Sequence, residues 1–439
     1  MVPRVSIPLV LALSVVSASA ARAQAPSPSP AAPPPAPGDK QKLLAEADTI
    51  AAKVSKLRGL AILKPIKRGV MTKPQITERL LARVKDEYKP EDIANEELAM
   101  KRLGLLPPDA DYLKLVLDLL TEQIAGFYDP GEKQLYIADW ITMGNDAIMA
   151  HEIDHALQDQ HFQIGRWMMA EKKNADATVA RQSLIEGDGL ALMLEFSSPT
   201  PVPWGQDGFV DSVVAMMAMG MATLGDTPLV LKESLVFPYL SGVKFIAEIR
   251  KTHPWSMVDA VYKKPPLSSE HILHPSTYAA YERPVAIKPA AVPALKGMKQ
   301  RYDNVLGQLG LSILLRQHKV ADWSARIASA GWGGDRLALF APSGADKTGK
   351  ATVGVVYTVW DSPVDAVEFF AAVSDAMPSL SGGAQASSKP DLLEFGMAGG
   401  KVAVVERRGD AVVLIVGAPA AAAAPAREQV WKSWTVKRP

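Results

Sequence analysis

Residues 151–155 read His-Glu-Ile-Asp-His, an H-E-x-x-H motif inside a segment, residues 145–161, whose pattern predicts a helix. Positions four apart on a helix lie about 40° apart around its axis, so His151 and His155 face the same side. Two imidazoles placed in this way can bind one Zn²⁺, and Glu152 can reach a water molecule on that metal. A zinc-bound water has a pKa near ~7, so a carboxylate can deprotonate it at neutral pH.

A catalytic zinc site usually has three protein ligands and one water, so the motif needs a third ligand. His161 lies ten residues after His151, which is the third-histidine spacing of H-E-x-x-H-x-x-G-x-x-H. That pattern needs a glycine where the helix ends, and this chain has Gln158 there. Glu186 is the second candidate, and its apolar neighbours argue against a solvated carboxylate. Glu186 is favoured, and His161 stays the alternative.

The elements around the motif follow from hydrophobic periodicity and turn signals. Residues 123–128 and 134–137 are predicted strands joined by an Asp-Pro-Gly-Glu turn, which makes a hairpin just before the motif helix. An edge strand in that place can hold an extended peptide. Residues 175–196 are predicted to form a helix, in which the glycines on either side of Asp188 indicate a break or close packing near Glu186.

From residue 296 the pattern changes, and residues 296–439 are predicted to form a small α/β module without a titratable cluster. Its predicted elements are a helix over 297–318, strands over 337–341, 351–360, 402–406 and 412–416, a helix over 363–377 and a hairpin turn at 407–410. Residues 40–295 are predicted to be a mainly helical domain with the small hairpin at its edge. The predicted fold class is therefore α+β.

Residues 1–23 are predicted to be a secretory signal peptide, with a positive end, a short apolar run and small-residue cleavage sites. The alternative is a short N-terminal membrane anchor, which the brevity of the apolar run disfavours. Residues 24–39 are rich in Ala and Pro, which predicts a disordered linker. No later segment has the pattern of a membrane span. We expect export to the periplasm or beyond the cell.

Composition excludes several classes of function. Removal of residues 1–23 takes away Arg4 and Arg22 and changes the formal net charge from +1 to −1, so no basic excess remains for binding nucleic acid. The absence of cysteine excludes disulfides, cysteine zinc sites and cysteine nucleophiles. Hydrophobic residues make up 48% of the chain, so its core can hold the fold without disulfides. The oligomeric state is not predicted.

The chain resembles the zincin superfamily, and most closely the gluzincin-like bacterial secreted zinc metallopeptidases of a largely uncharacterised family. The residues that carry the resemblance are AHEIDHALQDQHF at 150–162, IEGD at 185–188, GFYD at 126–129 and ILHP at 272–275. It covers about residues 120–281. The resemblance implies a zincin-like catalytic domain, a peptide or protein substrate and one Zn²⁺, with His151, His155 and Glu186 as ligands and Glu152 as general base.

The sequence departs from well-studied gluzincins at one position. They often carry an Asp four residues after the glutamate ligand, where this chain has Leu190. The partner that should orient a zinc-bound imidazole is therefore open among Asp154, Asp159 and Asp188.

Three further points depend on less specific signals. His274 is the predicted donor to the oxyanion of a hydrolytic intermediate, chosen from a polar loop over residues 265–281 that also holds His271 and Tyr278. Two other functions stay open, namely a non-peptidase zinc hydrolase and a zinc-bearing binding protein without turnover. Residues 40–120 are either an inhibitory pro-segment or a part of the catalytic fold.

Overall fold

The computed structural model describes residues 37–124, 126–139, 146–171, 173–221, 224–344 and 347–439. Within these ranges the fold is mixed α+β, with a mainly helical N-terminal part and a large sheet in the C-terminal part. The predicted signal peptide and residues 24–36 of the predicted linker lie outside the described residues. No helix in the described part of the chain combines the length and the hydropathy needed to cross a membrane.

The helices of the N-terminal part are α1 (Pro37–Arg58), α2 (Lys73–Glu87), α3 (Pro90–Arg102), α4 (Tyr112–Gln123), α5 (Asp146–Phe162), α6 (Ile164–Met169), α7 (Ala175–Ser197), α8 (Phe209–Met221), α9 (Leu229–Arg250), α10 (Trp255–Lys263), α11 (Ser269–Leu273) and α12 (Pro275–Ala280). The predicted helices around the motif and around Glu186 are confirmed as α5 and α7. Asn174 begins α7, because its side chain accepts a hydrogen bond from the backbone N–H of Ala177 at 3.0 Å. The loop predicted over residues 265–281 is wrong in part, since it contains α11 and α12.

A three-stranded sheet beside α5 is ordered β1 (Lys67–Met71), β3 (Gln134–Ala138) and β2 (Gly126–Asp129). β1 runs parallel to β3, whereas β2 and β3 form the predicted antiparallel hairpin. Asp129 stabilises the hairpin turn, because its Oδ1 accepts hydrogen bonds from the backbone N–H of Gly131 (2.8 Å) and Glu132 (3.3 Å). β2 is an edge strand of this sheet and packs against α5.

The C-terminal part is built on a seven-stranded antiparallel sheet ordered β5-β6-β7-β11-β10-β9-β8. The strands of this part are β4 (Ala286–Lys288), β5 (Met298–Asn304), β6 (Trp332–Pro342), β7 (Val353–Trp360), β8 (Gln385–Lys389), β9 (Leu392–Met397), β10 (Lys401–Arg408), β11 (Ala411–Pro419) and β12 (Thr435–Lys437), which pairs with β4. Its helices are α13 (Gly307–Gln317), α14 (Asp322–Ser329), α15 (Pro363–Ser381) and α16 (Ala420–Ser433). Alternate residues of β7 face opposite sides, so Val356 packs with α15 and Val355 with α16.

The predictions for this part are confirmed for the four strands and for the helix that becomes α15. Three of the predicted strands lie within β6, β10 and β11, and the fourth, predicted from residue 351, begins two residues before β7. The helix predicted over residues 297–318 is wrong in its first half. Met298–Asn304 forms β5 instead, because it pairs with β6. Gly307, the first residue of α13, has a φ of 70°. This left-handed conformation, which glycine adopts readily, lets the chain change direction between β5 and α13.

One hydrophobic core crosses the predicted boundary between residues 295 and 296. It joins Leu80 and Leu119 of the N-terminal helices to Leu339 and Val356 of the large sheet. The buried side chain of Arg102 also donates hydrogen bonds to the loop before β7. The helices and the sheet are therefore packed against each other through both apolar and polar contacts, and the division into domains at residue 296 stays a prediction.

Candidate metal centre

α5 carries the motif and is buried on all sides over residues 149–159. A helix buried all round is normally apolar all round, so its polar side chains need partners inside the protein. The side chains of His151 and His155 are 0% and 1% exposed. Their Nε2 atoms lie 2.9 Å apart, one turn along the same face of the helix.

Glu186 of α7 completes a three-residue group with the histidines. Its Oε2 lies 3.3 Å from Nε2 of His151 and 3.5 Å from Nε2 of His155. Ligand atoms about 2.05 Å from a tetrahedral Zn²⁺ lie roughly 3.3 Å apart, so the three observed distances fit such an ion. Among the described residues, the potential metal ligands that form a group are His151, His155 and Glu186. Their ligand atoms all lie within 4.8 Å of one another. The donor set suits Zn²⁺ and other divalent transition metals.

α7 brings Glu186 to the histidines while it crosses α9 very closely. A Cβ on Gly187 would lie 2.3 Å from the backbone carbonyl carbon of Gly242, and a Cβ on Gly242 would lie 2.2 Å from the carbonyl oxygen of Ser183. Only glycine fits at both positions of this crossing. The glycines near Glu186 therefore mark close packing, and α7 continues through them without a break.

Gly189 forms the wall against which the imidazoles lie. A Cβ at this position would be 2.8 Å from Cε1 of His151 and 3.2 Å from Cε1 of His155. Both distances are shorter than an ordinary van der Waals contact between carbons, about 3.5–4.0 Å. The absence of a side chain at Gly189 therefore lets both rings turn their Nε2 atoms toward Glu186.

Glu152 follows His151 on α5, and its side chain is 1% exposed. The strand β2 passes beside it, since a Cβ on Gly126 would lie 3.6 Å from Cγ of Glu152. The structure thus places the predicted general base between the motif helix and the edge strand of the hairpin. The negative charge of Glu152 also acts on the metal group, because it is one of the interactions that raise the pKa of His155.

The three candidate ligands perturb one another's pKa strongly. Burial raises the pKa of Glu186, but His155 and His151 outweigh this effect and bring it to about 2. Burial lowers the pKa of His155, but Glu186 and Glu152 outweigh it and bring it to about 10. Burial and the neighbouring His155 lower the pKa of His151. Without a metal the group therefore holds a carboxylate beside a protonated His155, and a metal ion must displace that proton.

Gln158 orients His155, and sequence reasoning missed this role. Oε1 of Gln158 lies 2.8 Å from Nδ1 of His155, while its Nε2 donates to Oδ2 of Asp154 (2.9 Å) and to the carbonyl oxygen of Ile185 (3.2 Å). Because the amide nitrogen has two acceptors, the amide oxygen faces the imidazole and accepts from its Nδ1. Nε2 of His155 then remains to bind a metal. The three-residue spacing from His155 on a helix was the signal that could have identified Gln158.

The three aspartates considered for this role have other direct partners. Asp154 accepts a hydrogen bond from Gln158 and so acts on His155 through that amide. Asp159 accepts from a tyrosine hydroxyl of β2 at 2.9 Å. Asp188 accepts from an arginine of α1 at 2.8 and 2.9 Å. The direct partner of Nδ1 of His155 is therefore none of the three.

His161, the alternative third ligand, lies apart from the metal group. α5 continues past Gln158 to Phe162, so the chain does not turn back at the position where the H-E-x-x-H-x-x-G-x-x-H pattern has glycine. Nε2 of His161 lies 2.8 Å from the carbonyl oxygen of Ala61 instead. The structure thus brings Glu186, and not His161, to the two motif histidines.

The residues considered as oxyanion donors contact other groups in this structure. Nε2 of His274 lies 3.0 Å from Nε2 of Gln308 on α13. His271 and Tyr278 each contact a backbone carbonyl oxygen at 2.8 Å. The assignment of His274 to the oxyanion stays a prediction.

The metal group is closed in this conformation. Its three candidate ligands and Glu152 are all 0–2% exposed. Tyr239 of α9, which the sequence analysis did not identify, stacks beside His151 with ring centroids 6.3 Å apart and is itself 3% exposed. A substrate can contact this group only after the surrounding elements move apart.

Comparison with known proteins gives one match. Residues 296–428 match a family described as a domain of unknown function, DUF8575. The match covers less than half of the chain and does not include the metal group. No curated protein and no solved structure matches this chain.

Proposed function

We propose that this chain is an exported zinc-dependent peptidase in which His151, His155 and Glu186 hold the metal and Glu152 is the general base. The observation that carries the proposal is the convergence of three ligand atoms at 2.9, 3.3 and 3.5 Å from one another, with a buried carboxylate on the same helix as the histidines. The resemblance of the motif segments to gluzincin-like zincins supports the same ligand set, a zincin-like fold and peptide substrates. Export rests on the predicted signal peptide over residues 1–23.

The chain's own residues have distinct roles in this proposal. A bound Zn²⁺ lowers the pKa of water and polarises a carbonyl group. Glu152 takes the proton of the attacking water and passes it to the leaving nitrogen. Gln158 keeps His155 in the tautomer whose Nε2 faces the group. The edge strand β2 lies beside Glu152, so an extended peptide can add to it as a further strand.

The oxyanion formed in this reaction needs a further donor. His274 is our prediction for that donor. Tyr239 is the alternative that the structure adds, because its ring lies beside His151. A comparison of His274→Ala with Tyr239→Phe separates the two, since loss of the true donor lowers kcat and leaves the zinc content unchanged.

A metal-bearing protein without turnover is the second candidate. The complete burial of the group favours it, because structural metal sites are closed and catalytic sites keep a position open. Glu152 argues against it, because a structural site does not need a further buried carboxylate beside its ligands. A zinc hydrolase acting on other carbonyl compounds uses the same residues as a peptidase, and a peptide-library screen distinguishes it.

The zinc-to-protein ratio of the chain from Gln24 onward tests the proposal. We expect one zinc per chain, loss of zinc in Glu186→Ala and retention in the control His161→Ala. Glu152→Gln should keep its zinc and lose peptide hydrolysis. Absence of zinc from the unmodified chain refutes the proposal, and full hydrolysis by Glu152→Gln refutes the role of Glu152. A zinc-loaded chain that cleaves no peptide supports the second candidate.

A further inference from the structure

We propose that Arg58 is a positioning residue of the metal centre, and that α1 is a permanent part of the catalytic unit and not a removable pro-segment. This inference rests on the proposed function. It addresses α1, the first helix of the segment over residues 40–120 that the sequence left open between a pro-segment and a part of the fold.

Arg58 ends α1 and is fully buried, at 0% exposed. Its Nε and Nη2 donate to the two carboxylate oxygens of Asp188 at 2.8 and 2.9 Å. Nη1 lies 2.7 Å from Oδ1 of Asp259, and the guanidinium lies 4.5 Å from the ring centre of Trp255. A buried guanidinium needs carboxylates to balance its charge. Asp188 and Asp259 balance the charge of Arg58, and its Nε and Nη2 have hydrogen-bond acceptors on Asp188.

Arg58 is connected to His155 through two side chains. Its Nε lies 4.0 Å from Oδ1 of Asp154. The other oxygen of Asp154 accepts a hydrogen bond from Gln158 at 2.9 Å, and Oε1 of Gln158 lies 2.8 Å from Nδ1 of His155. The positive charge of Arg58 thus faces the carboxyl group of Asp154 at ion-pair distance, and Asp154 is joined to the imidazole of His155 by the hydrogen bonds of Gln158.

Arg58 also ties α1 to the helix that carries the third ligand. Asp188 lies two residues after Glu186 on α7. The hydroxyl of Tyr262 donates to Oδ2 of Asp188 at 2.8 Å, so the carboxylate is held from two directions. The guanidinium therefore lies between α5, which carries the histidines, and α7, which carries Glu186.

The chain after Arg58 is also attached to α5. Oε1 of Gln160 accepts hydrogen bonds from the backbone N–H of Leu63 (2.7 Å) and Lys64 (3.0 Å), and Nε2 of Gln160 donates to the carbonyl oxygen of Lys64 (2.9 Å). Removal of this segment would leave the carboxylates of Asp154 and Asp188 buried near each other without the cation between them. Such a removal disrupts the site, whereas release of an inhibitory pro-segment should activate it.

Arg58→Lys tests the positioning role, because lysine keeps the charge and cannot form the bidentate pair. The matched control is Arg68→Ala, which removes an ion pair to Asp48 of α1 at the protein surface. Three measurements are made on each: the side-chain nitrogen NMR signals of His155 in metal-free protein, the zinc affinity by competition with a chromophoric chelator, and the absorption spectrum of the Co²⁺ form. We expect Arg58→Lys to shift the His155 signals, alter the Co²⁺ spectrum and weaken zinc binding about 10–100-fold, whereas Arg68→Ala behaves as the parent.

Wild-type His155 signals and zinc affinity in Arg58→Lys overturn the inference. A processed form that lacks residues 37–58 yet is folded and zinc-loaded also overturns it. Where Arg58→Ala does not fold, Arg58→Lys carries the test. Absence of zinc from the parent chain refutes the proposed function alone, because the His155 signals of the metal-free variants still decide whether Arg58 positions the ring.

Discussion

Replacement of Gly189 by alanine should impair metal binding while leaving the metal-free protein folded. The new Cβ would lie 2.8 Å from Cε1 and 2.9 Å from Nδ1 of His151, and 3.2 Å from Cε1 of His155. Nonbonded carbon atoms pack at about 3.5–4.0 Å, so the rings must retreat by roughly 0.5–1 Å. Metal–ligand distances tolerate deviations of only about 0.2 Å. At least one imidazole is therefore expected to leave the ligand position.

The effects of this substitution on folding partly cancel. Alanine is more favourable than glycine inside a helix by about 0.5–1 kcal/mol, whereas overpacking of a core costs about 1–3 kcal/mol. We expect the metal-free variant to lose no more than about 2.5 kcal/mol of unfolding free energy. Zinc affinity should fall about 100-fold, which corresponds to about 2.7 kcal/mol of binding free energy.

The assay combines a chelator-competition titration with thermal unfolding of the metal-free protein. The control is Gly396→Ala in β9, where the nearest atom to the added Cβ is 3.8 Å away. The control should bind zinc as tightly as the parent chain. Unchanged zinc affinity in Gly189→Ala would refute the reasoning, because it would show that contact with Gly189 does not place the two rings.

Three further predictions follow from other contacts. Gly187→Ala should destabilise the protein by about 3 kcal/mol or more in thermal unfolding, because the added Cβ meets the backbone of Gly242 at 2.3 Å; an unchanged midpoint would contradict the close crossing. Burial raises the pKa of Asp176 to about 7, so between about pH 4 and pH 7 the folded protein binds a proton that the unfolded chain has released. Stability contributed by this group is complete below pH 4 and falls as the pH rises through 7, and Asp176→Asn should flatten that fall in unfolding midpoints measured against pH. Gln158→Leu should remain folded and bind zinc about 10–100-fold more weakly in the competition titration, and parent-like affinity would exclude its role in orienting His155.

Local patterns predicted the parts of the site that depend on a single element. The four-residue spacing of His151 and His155 is enough to place both on one face of a helix. Glu186 could be proposed because a carboxylate among apolar neighbours needs a partner. Arg58 could not be proposed in this way, since it meets Asp188 across 130 residues of chain and its own segment shows only an amphipathic helix. Such a pairing depends on how α1 packs against α7.

The difference between local patterns and contacts of distant segments also explains the errors in the predicted fold. Met298–Asn304 is mostly polar and lies next to the apolar residues of α13, so its periodicity did not separate it from that helix. Its strand conformation comes from pairing with β6, which is a contact between distant segments. The strands β7 and β11 were predicted correctly because both of their faces are buried, which leaves continuous runs of apolar residues in the sequence.

The burial of the metal group favours a metal-bearing protein without turnover, whereas the buried carboxylate of Glu152 favours a peptidase. The position of β2 bears on both functions. A site that only stores or uses a metal structurally can remain closed, whereas a peptidase must admit a substrate to the group. All four residues of β2 are buried, and Gly126 lies against the side chain of Glu152. Among the described strands β2 pairs with β3 on one side only, so its other edge can accept a peptide strand without breaking a strand pairing of this sheet. Peptide hydrolysis at this site would therefore require the buried group to open, and an opening along β2 would expose the strand edge beside Glu152. A metal-bearing protein without turnover needs no such opening.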